Sequence, residues 1–138
     1  MTDRRTFIAG LALAPVALST PSIAANPFHP AWDMAVGAER KACEAMETFL
    51  AEKVRPADLA HKAGAGPFDA VVEAEEAWTP YTKAHAQAVN TVLMTPAPDW
   101  AAVAQKLEMG LADYAFDGSA SSEAMLKTIL ADVRRLSA

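Results

Sequence analysis

The chain has 138 residues, with 12 Lys/Arg against 17 Asp/Glu and a formal net charge of −5 at neutral pH. An acidic balance without a basic cluster excludes a nucleic-acid binder, whose affinity comes largely from neutralised phosphates, and argues against docking on an anionic membrane surface. Cys43 is the single cysteine, which excludes an intrachain disulfide.

The N-terminal element reads as an address. Arg4 and Arg5 supply a positive start, and Phe7 to Leu18 form a mildly apolar stretch of 12 residues. A bilayer span needs about 20 apolar residues, so no stable membrane insertion is expected. Ser22 and Ala24 place small side chains three residues and one residue before a cut after Ala24. The run Arg4-Arg5-Thr6-Phe7-Ile8 resembles the twin-arginine export signal of bacteria, with Asp3 and Ala9 departing from its commonest neighbours. That resemblance implies recognition by the export translocase through Arg4, Arg5 and Phe7. It also implies passage in folded form and a periplasmic or secreted product. The competing reading is an N-terminal helix buried in the fold, which Pro15 and Pro21 would interrupt. Residues 1–24 are therefore read as a cleavable signal and 25–138 as a single helical domain, with 10 basic and 16 acidic side chains. A domain of this length buries about two-thirds of its unfolded surface.

Alanine is frequent in that domain and no stretch alternates with the period of a half-buried strand, so helix is favoured throughout. The first helix is expected from about Pro30 to Val54, with Trp32, Val36, Cys43, Met46, Leu50 and Val54 on one face. Arg55-Pro56 is expected to end it. A short helical turn over Ala57 to Lys62 and a connector at Gly64, Gly66 and Pro67 come next. The second helix, about Phe68 to Met94, carries Val71, Val72, Trp78, Val89, Val92 and Leu93; Pro80 predicts a kink or break, with Thr79 able to cap a new helix. Asp99 is expected to cap a third helix with the stripe Trp100, Val103, Leu107, Leu111 and Tyr114. Ser119 or Ser121 should cap the last helix, whose stripe is Leu126, Ile129, Leu130, Val133 and Leu136. Arg134 and Arg135 read as a solvated end opposing the helix dipole. The sum is an all-α protein, a small bundle of about four helices. Its two long helices pair as an antiparallel hairpin, and the two shorter ones cover the seam.

Chemistry is hard to find in this pattern. His29, His61 and His85 stand in different segments, without the paired spacings of zinc or di-iron sites, so no metal site and no cofactor are predicted. No nucleophile elbow, phosphate loop or catalytic residue is identified, and Cys43 reads as a small core side chain. Glu73 and Glu76 read as part of a solvated face. One group stands out: Glu75, Trp78, Tyr81 and His85, with Thr82, fall on one side of the second helix around Pro80 and are pocket candidates. Glu39 also falls near the core side of the first helix, where a carboxylate needs a partner that Lys106 or His85 could provide; partial exposure at the rim is the favoured reading.

The plan as a whole resembles small uncharacterised bacterial proteins that join a twin-arginine-like start to an alanine-rich helical body. The segment "TPAPDWAAVAQKL", residues 95–107, is similar to a turn-and-helix segment in such proteins, some of phage-like character. The resemblance implies a fold and no mechanism. The leading expectation is an exported helical protein without catalytic machinery, acting through protein contacts, with an unknown partner or by self-association. A cofactor- or ligand-binding periplasmic protein is the first alternative. A cytosolic phage-derived module with a false signal is the second.

Overall fold

The computed structural model describes residues 29–138. The proposed export residues Arg4, Arg5 and Phe7 and the cleavage residues Ser22 and Ala24 lie outside them. Among the described residues the protein is all-α and has no strand. The helices are α1 (Pro30–Phe49), α2 (Arg55–Lys62), α3 (Phe68–Met94), α4 (Trp100–Ala112) and α5 (Ala120–Leu136). None is long and apolar enough to cross a membrane.

The chain does not stop at Arg55-Pro56. Leu50–Val54 widens into a π-helical turn that leads directly into α2. The Arg55 N–H reaches back five residues to the Leu50 carbonyl. Pro56 has no N–H to give, and its ring would strike the carbonyl four residues earlier in a regular helix. The wider turn relieves that clash, so proline marks a change of pitch here. The real stop is Gly64. With φ +70° it takes the left-handed position of a C-terminal cap, and the Gly64 and Ala65 N–H groups bond the His61 and Ala60 carbonyls.

The second proline also leaves its helix unbroken, since α3 runs continuously from Phe68 to Met94 with Pro80 inside it. Thr79 does not cap a new helix. Its hydroxyl donates back to the Glu75 carbonyl, 3.1 Å away, and Thr82 likewise donates to the Thr79 carbonyl. Neither hydroxyl reaches the Glu76 carbonyl, which is the one that loses its helical donor at Pro80.

α1 and α3 are the principal packed pair. Trp32 and Val92 share one core cluster, Glu39 meets His85, and Trp78 Nε1 donates to the Met46 carbonyl at 3.2 Å. Each pair of residue numbers has the same sum, and both helices advance by seven between contacts. That is an antiparallel seam with heptad spacing, the arrangement that keeps one stripe facing its partner over several turns. α4 and α5 pack on α3 and on each other, whereas α1 and α4 make no backbone approach of their own. An open flank therefore remains between α1 and α4, with α3 beneath it.

The expected caps form. Asp99 accepts from the Ala102 N–H at 2.8 Å, and Ser119 accepts from the Ser122 N–H at 3.2 Å. The expected stripes of α4 and α5 hold only in part, through Val103, Ile129, Val133 and Leu136, which lie in or against the core. The core side of α4 is Ala102, Val103, Lys106 and Gly110, and that of α5 is Ser122, Met125, Ile129 and Asp132. Trp100, Leu107, Leu111, Tyr114, Leu126 and Leu130 all face outward.

The physical reason is a buried ion pair. Lys106 is fully buried, and its Nζ donates to Asp132 Oδ2 at 2.6 Å, with Trp32 5.8 Å below the ammonium. Asp132 also accepts from the Ala97 N–H at 3.1 Å and from Arg135 at 3.0 Å, and Arg135 donates to the Ala97 carbonyl as well. Arg135, half-exposed at the solvated end of α5, is thus also part of a clasp tying α5 to the α3–α4 connector. Burying either charge alone would be strongly unfavourable, so the two helices turn until both charges meet. Lys106 is committed to Asp132, which leaves His85 as the partner of Glu39.

Candidate functional site

The four pocket candidates on α3 do not gather. Glu75 is exposed. Trp78 is half-buried against α1 through its bond to Met46. Tyr81 stacks on Phe49, ring centroids 4.8 Å apart, and lines a shallow groove with Lys41, Glu44 and Glu52. His85 alone points into a chemically mixed site. The step of three or four residues was correct for sharing a helix side, but α1 lies across that side and divides it.

His85 occupies the middle layer of the α1–α3 seam, where a heptad pattern calls for an apolar residue. It is buried, and its Nε2 lies 3.2 Å from Glu39 Oε1. Its Nδ1 lies 3.6 Å from Asp113 Oδ1, within ion-pair range but beyond a good hydrogen bond. One turn along α1 from Glu39 stands Cys43. Ligand atoms of Glu39, Cys43 and His85 all come within 4.8 Å of one another. Cys43 is half-buried at this polar layer, which replaces the expectation of a plain core cysteine.

The three groups open onto the flank between α1 and α4, in a cleft of about 480 Å³. Glu47, Glu108 and Asp113 add carboxylates to its walls, and no Lys or Arg lines it. Such a concavity concentrates cations. Burial first, then the negative charges of Glu39, Glu47, Asp113 and Glu44, push the Cys43 thiol above its ordinary value. A positive charge placed among these groups would reverse that tendency.

Asp113 reaches His85 because of how α4 ends. The Ala115 N–H bonds the Gly110 carbonyl at 2.9 Å, and Tyr114 takes the left-handed position with φ +53°. That position usually falls to glycine. Gly110 has the Phe116 ring directly over it, where a Cβ would overlap the ring. The chain therefore folds back on α4 immediately, holding Asp113 beside α3.

Sequence reasoning had Glu39 and His85 as a possible pair but missed Cys43 and Asp113. The signal for Cys43 was its four-residue step from Glu39, which puts both on one face of α1. For Asp113 no local pattern exists, because its placement depends on a tertiary turn.

The second feature of note is the outer side of α4. Trp100, Ala104, Leu107 and Leu111 are exposed at steps of four, three and four, and Tyr114 continues the line just past the helix. Leu111 is 69% and Tyr114 86% exposed. No charged residue interrupts this stripe. α4 is thus apolar on two sides, and only one of them is covered among the described residues. No protein family, curated protein or solved structure matches the chain.

Proposed function

We propose that this chain is an exported helical protein that works through helix-to-helix contacts, its α4 seam pairing with the same seam of a second copy. The observation that carries the reading is the uncovered stripe Trp100, Ala104, Leu107 and Leu111, with Tyr114 beyond. Its spacing is that of a coiled-coil contact line, and such a line is narrower than the face a helix shows to its own core. A two-fold pairing suits it, because a self-complementary apolar line meets its own copy with no charge left unpaired. The four large side chains offer roughly 500 Å² per copy and roughly 1,000 Å² for the pair, the lower limit of a specific interface. Association of moderate strength is the expectation, weakened by dilution.

Sedimentation velocity of the protein over a concentration series tests this contact. A monomer–dimer equilibrium is expected, shifted to monomer by Leu111→Glu. A strict monomer at high concentration would reject it. The export part rests on Arg4, Arg5 and Phe7. A reporter fused to residues 1–30 should be exported, and Arg4→Lys with Arg5→Lys should abolish that export. Export indifferent to both changes would reject the twin-arginine route, and no export at all would favour the cytosolic alternative.

A second reading, ligand binding in the cleft between α1 and α4, is favoured by the convergence of Glu39, Cys43 and His85.

A further inference from the structure

We infer that Glu39, Cys43 and His85 form a binding site for a thiophilic divalent transition metal of the zinc type, with Asp113 holding the histidine. The inference gives the ligand-binding reading a chemical identity and does not depend on pairing through α4.

The ligand set is the first ground. A thiolate, an imidazole nitrogen and a carboxylate oxygen together suit a borderline cation such as Zn²⁺ or Co²⁺, and they discriminate against Mg²⁺ and Ca²⁺, which favour oxygen alone. The second is spacing. Around a tetrahedral zinc with bonds of about 2.0–2.3 Å, ligand atoms lie about 3.3–3.7 Å apart. Glu39 Oε1 and His85 Nε2 already stand 3.2 Å apart, and every ligand atom of the three lies within 4.8 Å of the others. At most about 1 Å remains to be closed.

The third ground is the support behind the ligands. A metal-bound histidine donates its other ring N–H to a carboxylate or carbonyl, which fixes the ring. Asp113 is positioned for this, 3.6 Å from Nδ1, while Nε2 faces Glu39 and the cleft. α1 supplies two ligands from one face, and the packed α1–α3 seam holds the third at a fixed distance. Three protein ligands leave the fourth position turned toward the open cleft, where water or a small anion can bind.

Binding converts the Cys43 thiol to a thiolate and releases one proton to solvent. The cation takes the place between His85 Nε2 and Glu39, and the neutral imidazole carries its one N–H at Nδ1, toward Asp113. The acidic walls at Glu47 and Glu108 draw cations to the mouth and add no competing positive charge.

The test uses the full-length protein, stripped with a chelator and titrated with Co²⁺ and then Zn²⁺. Expected are one Co²⁺ per chain, tetrahedral visible bands and a near-ultraviolet thiolate-to-cobalt band, all displaced by Zn²⁺. Cys43→Ser should abolish the thiolate band and weaken binding at least about 100-fold, and Asp113→Asn should weaken it about 10-fold or more. His61→Gln, an exposed histidine elsewhere, and Leu111→Glu should leave binding unchanged. Zn²⁺ should also slow alkylation of Cys43 in the unaltered protein, a readout that needs no variant to fold. Weak octahedral cobalt spectra, alkylation indifferent to Zn²⁺, or full binding by Cys43→Ser would each overturn the site. A dimer lost in Leu111→Glu with metal binding intact separates this inference from the reading of α4.

Discussion

Replacing Lys106 by methionine isolates the buried ion pair. Methionine keeps the unbranched apolar stem of a side chain that has no exposure to solvent, and it removes the ammonium 2.6 Å from Asp132. The carboxylate is then left with the Ala97 N–H and a half-exposed Arg135. Removing one member of a buried pair costs about 3–5 kcal/mol, and the surviving Arg135 contact puts the expectation near the lower figure, about 3 kcal/mol. In a domain of this size that lowers Tm by roughly 10–15 °C. Urea unfolding followed by circular dichroism should compare the parent, Lys106→Met, Asp132→Asn and the double variant. The double variant should recover at least about 1.5 kcal/mol relative to additivity, because neutral Asn no longer leaves a buried charge unpaired. The pH dependence carries an independent sign. Burial alone would raise the Asp132 pKa, but hydrogen bonds from Lys106, Arg135 and the Ala97 N–H outweigh it and hold the carboxyl below its ordinary 3.8. Folded-state depression means the stabilisation is complete above the unfolded value and is lost as pH falls through the folded one. The gap between parent and Lys106→Met should therefore be constant near neutrality and shrink below about pH 4. A loss under about 1 kcal/mol, or a gap unchanged into strong acid, would refute the account of why α4 and α5 face as they do.

Three further substitutions report on the end of α4 and the start of α5. Gly110→Ala should cost about 1–3 kcal/mol in urea unfolding, because its Cβ and the Phe116 ring claim the same space. Tyr114→Gly should stabilise the monomer by up to about 1 kcal/mol by relieving the left-handed backbone, while weakening self-association by removing an exposed ring. Thermal melts in dilute solution and sedimentation at high concentration should therefore move in opposite directions. Ser119→Ala should cost about 1 kcal/mol through loss of its bond from the Ser122 N–H, measured by the same unfolding curve.

The all-α bundle and its caps were readable because they depend on neighbours in sequence. Asp99 and Ser119 act on residues three positions away, and the α1 and α3 stripes had one apolar side each. The stop expected at Arg55-Pro56 was misjudged because a helix can pass a proline by widening, here in the π turn of Leu50–Val54, and of the kink or break expected at Pro80 the break does not occur. The faces of α4 and α5 were misread in part, and for a different reason. Periodicity cannot choose between Val103–Lys106–Gly110 and Trp100–Leu107–Leu111 when both lines are mostly apolar. It offered Lys106 only as a possible partner of Glu39 and gave no role to Asp132, whereas their mutual attraction across 26 positions decides the orientation. The candidate site was legible only in halves. Glu39 was placed near the core side with His85 as one possible partner, but Cys43 and Asp113 join them through helix packing and a chain reversal.

The widened turn at Leu50–Val54 bears on how this rod tolerates changes in length. A π turn accommodates one surplus residue without twisting the downstream segment, so α2 keeps the phase that α1 would have given it. Shortening that turn by one residue would close it to ordinary pitch and push the Pro56 ring onto a carbonyl. The surplus residue and the proline are thus a matched pair. Trimming one and replacing the other by alanine should leave an uninterrupted cylinder, whereas trimming alone should bend it.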